Sequence, residues 1–413
     1  MMTNKLLNTL VYKQGHILLL LVFLLAILAV PVSLLAQEKS STTTVKPART
    51  PMPAAPQLNA KSYFLQDFQS GTILAEKNAD LRVDPASITK LMTSYVVFNE
   101  LKQGKLALTD ISTISEKAWR TEGSRMFIEV GKQVSIEDLI KGMVIQSGND
   151  ASVALAEHIA GTEDAFASMM NHYAVELGMT NSHFVNATGL PDPEHYVTAR
   201  DIATMSTALI AEFPVYYAWY SEKEFTFNKI RQHNRNTLLW RDPSVDGLKT
   251  GHTEAAGYCL TASAIRKGMR LLAVVMGTDS QKARTADAQA MLNYGFRFFK
   301  THQLYQADQQ ITEAVVWRGE SEEIQLSIAE EFFVTIQRGR YDSLDARVTI
   351  DPELSAPISK GQALGKLQVF LDGEEIGSRP LLAMSDIAEA GFFGRSYDSI
   401  RLWVGGLFGD SDE

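Results

Sequence analysis

Pro85-Ala86-Ser87-Ile88-Thr89-Lys90, continuing as Leu91-Met92-Thr93-Ser94-Tyr95-Val96-Val97, is the stretch on which the reading of this chain turns. Apolar residues at Ile88, Leu91, Met92, Tyr95 and Val96 have the spacing of one buried stripe along an α-helix. Pro85 suits the entry to that helix, where a missing N–H costs little. Ser87 and Lys90 then stand three residues apart on one face, so hydroxyl and amine can meet. A serine hydroxyl needs an adjacent base to act as a nucleophile. A lysine serves as that base only where burial or a cationic neighbour keeps it neutral for part of a cycle. Alone, such a pair is too common to carry a function.

Two further stretches change its weight. Ser147-Gly148-Asn149 falls in the break between two apolar helical segments, residues 136–144 and 151–159. Lys249-Thr250-Gly251 follows Val245-Asp246-Gly247-Leu248 and precedes a strand-like run. These three motifs, in this order, are the signature set of active-site-serine penicillin-binding proteins and β-lactamases.

The bulk numbers bound the rest. At 413 residues the chain is long enough for two domains, and 45% hydrophobic with 21% charged residues is ordinary for a globular protein. A net charge of −9 argues against nucleic acid as a partner, since no basic excess exists to neutralise phosphates. The single cysteine, Cys259, rules out an intrachain disulfide, and its strand-like setting reads as a small core residue. No metal motif is present and no cofactor is expected; His158 and His172 read as surface or core residues.

Taken in order, residues 1–36 read as an export signal: Lys5 and Lys13 precede an apolar run from Ile17 to Val30, and Ala36 offers a small residue for cleavage. Leu34 is large for its place before that cut, so an uncleaved anchor is the alternative. Residues 37–57, rich in Ser, Thr, Pro and Ala, read as a linker. A first domain then spans residues 58–300. Residues 62–67 and 72–76 form a hairpin, a helical middle runs from about 136 to 211, and strands return from Phe225. Residues 260–264 and 271–276 make a second hairpin about Arg266-Lys267-Gly268. A closing helix covers 285–299, with Met291, Leu292, Phe296 and Phe299 on its apolar face. Strands at both ends around a helical middle imply an antiparallel sheet completed by its first and last segments, an α+β fold.

Residues 301–388 alternate apolar and polar (Ile324, Leu326, Ile328; Leu367, Val369, Leu371 before an Asp372-Gly373 turn) and read as a small all-β domain. In residues 389–413, Phe393, Tyr397, Ile400, Val404 and Leu407 recur at helical spacing beside Trp403 and Phe408, the pattern of an amphipathic helix at a membrane surface.

With the flanking residues of each motif, and with Asn293-Tyr294-Gly295-Phe296-Arg297-Phe298-Phe299, the chain resembles low-molecular-mass penicillin-binding proteins, the D-alanyl-D-alanine carboxypeptidases of the type 5/6 group. The resemblance implies the penicillin-binding-protein/β-lactamase-like transpeptidase fold. It also implies a peptidoglycan stem pentapeptide as substrate, β-lactam antibiotics as inhibitors, and a location on the periplasmic face of the bacterial inner membrane. In that family Ser87 would attack the carbonyl between the two terminal D-alanines and Lys90 would take its proton. Ser147 would relay a proton to the departing D-alanine, Asn149 would hold Lys90 and a substrate amide, and Lys249 would add positive field. Thr250, in the Thr250-Gly251-His252 run, would bind the terminal carboxylate. The backbone N–H groups of Ser87 and His252 would form the oxyanion hole. Arg284 and Arg235 match family positions, the former for the substrate carboxylate. A class A β-lactamase, which needs a glutamate base of which no Glu-x-x-x-Asn signal is found, a D,D-endopeptidase and a catalytically dead peptidoglycan-binding scaffold are the rival readings. One departure is the segment at residues 119–126, shorter than the family leads one to expect, so the cleft edge there differs.

Overall fold

The computed structural model describes residues 54–391. The export signal, the linker up to residue 53, and the amphipathic tail from residue 392 lie outside the described residues.

The N-terminal part of the described chain is built on a five-stranded antiparallel sheet. Its strands are β1 (Ser62–Asp67), β2 (Ile73–Lys77), β7 (Val245–Thr253), β8 (Gly257–Arg266) and β9 (Met269–Thr278), in the order β2-β1-β9-β8-β7. The first strands therefore pair with the last, as the pattern requires, and β7 forms one edge. Two short hairpins fill the chain between: β3 (Ile111–Thr113) with β4 (Gln133–Ser135), and β5 (Glu224–Phe227) with β6 (Ile230–His233).

The sheet is covered on both faces. The helix Gln281–Phe298 packs Met291, Leu292 and Phe296 against Leu260, Ala262, Leu271 and Ala273. The other face meets the helical middle, whose core includes Leu91, Met92, Phe98, Met143, Leu155, Phe166 and Ile202. Burial of this much apolar surface is the main force holding the helices to the sheet.

Three local expectations are corrected. The Ser87 stretch opens with a 3₁₀ turn, Ala86–Thr89, before the helix Lys90–Lys102, and that helix is buried from Lys90 through Leu101 rather than along one stripe. It is the central helix of its layer, so no face is left to water. The closing helix starts at Gln281, because Ser280 is extended and its hydroxyl accepts from Ala283 N at 3.1 Å. Phe299 is the first residue of the next strand, buried there rather than on the helix.

The remaining chain is all-β, with β10 (Phe299–Tyr305), β11 (Gln310–Val315), β12 (Glu323–Ser327), β13 (Phe332–Gln337), β14 (Leu344–Ile350), β15 (Ala363–Leu371) and β16 (Glu374–Ala383). Five of these form a sheet in the order β11-β12-β16-β15-β14, and β10 pairs with β13. The core contains Ile324, Leu326, Ile328, Leu367 and Val369, the alternating positions of the sequence. Hydroxyl contacts join the two halves: Thr301 Oγ1 donates to Asp67 Oδ2 at 2.6 Å, and Ser70 Oγ donates to Thr335 Oγ1 at 2.7 Å. Arg338 adds two donations to Phe296 O.

Candidate active site

The 3₁₀ turn that carries Ser87 is held in a tight sandwich. Ala86 adopts φ +47°, a left-handed conformation uncommon for a residue with a Cβ. Two glycines press on it. A Cβ on Gly251 of β7 would lie 2.9 Å from Pro85 O, and one on Gly189 would lie 1.8 Å from Ala86 O. Glycine is required at both places so that strand and loop can close on the turn. Strained backbone fixed by its surroundings in this way is a mark of functional sites. Ser87 itself is half-buried and so open to the cleft.

Lys90 follows one turn later and is only 1% exposed. Its Nζ donates to Ser87 Oγ at 3.0 Å, to Asn149 Oδ1 at 2.6 Å and to Thr188 O at 2.6 Å. Burial pushes the amine down to about 7, while Asp150 and Glu163 pull the other way. Near neutral pH this lysine therefore divides between its charged and neutral forms, as a proton carrier must.

Ser147 and Asn149 sit where two helices meet. The first, Ile136–Ile145, ends before Ser147, which adopts φ +69°. Asn149 begins the second, Asn149–Ala160, and so belongs to the helix rather than to the break. Asn149 Nδ2 donates to Glu122 O at 2.6 Å, which leaves Oδ1 to face Lys90. Ser147 Oγ accepts from Lys249 Nζ at 2.8 Å, across from β7. Lys249 is 2% exposed, and burial drives its amine well below the usual lysine range, with Lys90, Arg284 and Arg235 adding repulsion.

Strand β7 brings the third motif alongside. Lys249, Thr250 and Gly251 lie within the strand and are buried, whereas His252 is exposed with its ring 3.9 Å from that of Tyr258. Because β7 is an edge strand, one side of its backbone has no partner in the sheet. Arg284 reaches the same strand from the first turn of the helix Gln281–Phe298. Its Nη1 donates to Gly251 O at 3.0 Å, and burial lowers its pKa to about 10. Arg235 is exposed; with the Gln146 amide turned so that both ends are satisfied, Gln146 accepts from Arg235 Nη2 at 3.1 Å.

Several participants escape a reading of residue types. The Thr188 carbonyl is aimed at Lys90 by its own loop. Asn186 Oδ1 accepts from Thr188 N and Gly189 N, Glu163 Oε1 accepts from Ala187 N, and Thr93 Oγ1 donates to Ala187 O. His195, 2% exposed, meets Thr89 Oγ1 through Nε2 at 2.9 Å, and its Nδ1 accepts from Val185 N. Burial takes this imidazole down to about 4, so it works as a neutral support of the nucleophile turn. His158 and His172, by contrast, are exposed. Among the described residues, no group of three His, Cys, Asp or Glu side chains is placed to hold a metal ion, and no helix is long and apolar enough to cross a membrane.

Comparison with known proteins decides what this arrangement belongs to. Residues 49–280 match the family profile described as D-alanyl-D-alanine carboxypeptidase, and residues 299–389 match that of the penicillin-binding protein 5 C-terminal domain. The chain belongs to the D-alanyl-D-alanine carboxypeptidase family. It is 46% identical to D-alanyl-D-alanine carboxypeptidase DacC of Escherichia coli (strain K12) over 366 residues, covering 86% of this chain and 92% of that protein. Penicillin-binding protein 5 of Haemophilus influenzae is similar in structure, with a TM-score of 0.80 at 45% identity, across 82% of this chain and 100% of that one. Penicillin-binding protein D2 of Listeria monocytogenes, solved in its ampicillin-bound form, matches with a TM-score of 0.54 at 29% identity, over 58% of this chain and 100% of that one. This carboxypeptidase is thus a serine-type enzyme of the penicillin-binding-protein fold, followed by the β domain. Its activity is that of a D-alanyl-D-alanine carboxypeptidase, and its structural relatives are penicillin-binding proteins.

Proposed function

We propose that the side chains gathered around Ser87 divide the acyl-transfer chemistry as follows. Neutral Lys90 takes the proton of Ser87 Oγ as that oxygen bonds to the carbonyl carbon between the terminal D-alanines. The observation that carries this is the 3.0 Å contact between Ser87 Oγ and an amine whose burial holds it near 7. The N–H groups of Ser87 and His252 receive the oxyanion. The proton taken up by Lys90 is then passed through Ser147, which is linked to Lys249, to the leaving D-alanine nitrogen as the C–N bond breaks, and water hydrolyses the ester on Ser87.

The substrate's free carboxylate completes the electrostatics. Arg284 and Arg235 stand near Lys249 and add to the lowering of its pKa, so the negative charge of a substrate carboxylate beside them acts in the opposite direction. Thr250 lies beside Lys249 on β7 and supplies the hydroxyl for that carboxylate; Gly251 keeps β7 close to the nucleophile turn. With the substrate laid along the unpaired edge of β7, the scissile carbonyl falls beside Ser87.

In the same reading, residues 58–300 form the catalytic domain and 301–388 the β domain. Residues 1–36 direct export, and residues 389–413 attach the protein to the periplasmic face of the inner membrane. The Phe, Tyr, Trp and Leu pattern of the tail supports that attachment. The test is D-alanine release from a purified stem pentapeptide by the protein and by its Ser87→Ala variant. Release by the first alone is expected; equal release by both would remove Ser87 from the mechanism. Activity only on crosslinked muropeptides would favour an endopeptidase.

A further inference from the structure

Asp150 is 1% exposed and forms no salt bridge among the described residues, an expensive state for a carboxylate unless hydrogen bonds replace its water. Four backbone N–H groups do so. Asp150 Oδ1 accepts from Met126 N and Ala151 N, both at 2.9 Å, and Oδ2 accepts from Phe127 N at 3.0 Å and Ile128 N at 3.3 Å. Three of these donors belong to the segment at the cleft edge, where Phe127 is held at φ +68° with its ring half exposed. A bulky residue keeps that conformation only when its surroundings enforce it.

The same segment returns two carbonyls to Asn149. Asn149 N donates to Ser124 O at 2.7 Å and Nδ2 donates to Glu122 O at 2.6 Å. With the amide nitrogen so engaged, the amide oxygen points at Lys90 Nζ. The glycine between Ser147 and Asn149 belongs to this design, since a Cβ on Gly148 would stand 2.8 Å from Asp150 Oδ1.

We infer that Asp150 is a positioning residue of the acylation step: its buried carboxylate fixes residues 122–128, whose carbonyls set the Asn149 amide against Lys90. This rests on the Ser87–Lys90 reading above. The charge of Asp150 adds a second, separable effect. The charged and titratable groups that bear on Lys90 are Asp150, Glu163, Lys249 and the neutral His195. Removing the Asp150 anion stabilises the neutral amine, so the acid limb of acylation moves to lower pH.

The experiment is stopped-flow acylation by a fluorescent penicillin across pH, with steady-state D-alanine release, for the full-length chain and its Asp150→Asn, Gly123→Ala and Ser87→Ala variants. Gly123 lies between Glu122 and Ser124 at φ +91°, and an added Cβ would fall 2.6 Å from Asn149 Nδ2. That variant disturbs the segment and leaves the carboxylate in place. Asp150→Asn is expected to lower kcat about 10- to 100-fold with little change in KM, and to shift the acid limb down. Gly123→Ala is expected to lower kcat comparably with the limb unmoved. The inference is overturned if folded Asp150→Asn acylates within twofold of the parent, whatever Gly123→Ala does. It is equally overturned if Asp150→Asn loses activity only in proportion to its unfolded fraction, read by circular dichroism, with the limb unmoved. Should Asp150→Asn fail to fold, Gly123→Ala decides alone: acylation within twofold of the parent overturns the inference. Acylation of Ser87→Ala would instead sink the underlying mechanism, so the two failures are distinguishable.

Discussion

The catalytic half and the β domain bury different things. Within the sheet-and-helix half, two lysines (Lys90, Lys249), an arginine (Arg284), a histidine (His195) and several carboxylates, among them Asp67, Asp150 and Asp201, are almost wholly enclosed. From β10 onward the buried residues are apolar, with Ser327 and Thr335 the polar exceptions among the described residues. An enclosed charge costs several kcal/mol unless partners repay it, so a fold selected for stability alone has little use for a cluster of them. The contrast locates chemistry in one half and a packing or positioning role in the other.

That contrast can be broken in several ways. Lys90→Gln keeps a polar group near Ser87 and removes the base, and acylation by a fluorescent penicillin should fall on the order of 10²- to 10⁴-fold; a smaller loss would mean another group takes the proton. Next in size is pH. Because Lys90 must be neutral and burial sets it at about 7, acylation should drop roughly tenfold per unit below that value and level off above it. A flat profile between pH 5 and 8 would place the base elsewhere. In the β domain, Leu367→Ala opens a cavity at a side chain 1% exposed. Thermal unfolding should register a cost of about 2–5 kcal/mol to that domain, while kcat/KM on a soluble pentapeptide stays within twofold. A parallel collapse of turnover would show that the two halves are coupled. The smallest effect on turnover belongs to the tail. Deleting Phe392 onward should release the mature protein from membranes in a sedimentation assay and leave soluble-substrate turnover nearly intact. A truncated protein that still sediments points to an anchor elsewhere, such as an uncleaved signal.

Side-chain identity and order made much of this site legible. Ser87, Lys90, Ser147, Asn149 and Lys249 stand together in space, joined by side-chain hydrogen bonds, although they come from three separate motifs. The antiparallel sheet closed by its first and last strands was also readable, because β8 and β9 are apolar runs joined at Arg266-Lys267-Gly268 and β1 and β2 form a hairpin of their own. What stayed hidden are contributions that residue type does not announce. The Thr188, Glu122 and Ser124 carbonyls act through backbone, and any residue could supply them. His195 looked like one more scattered histidine until folding set it against Thr89, 106 positions earlier. The Lys90–Lys102 helix is enclosed on nearly every side, so its periodicity carries little contrast. The start at Gln281 was obscured by a polar first turn whose Arg284 is buried by tertiary contact rather than by pattern.

The measurement closest to the central claim is the mapping of the penicillin adduct. The full-length protein would be acylated, digested, and its labelled peptide sequenced by mass spectrometry. The account predicts one adduct, on the peptide containing Ser87 and on that hydroxyl. An adduct on Ser147, or on any residue of the β domain, would contradict it.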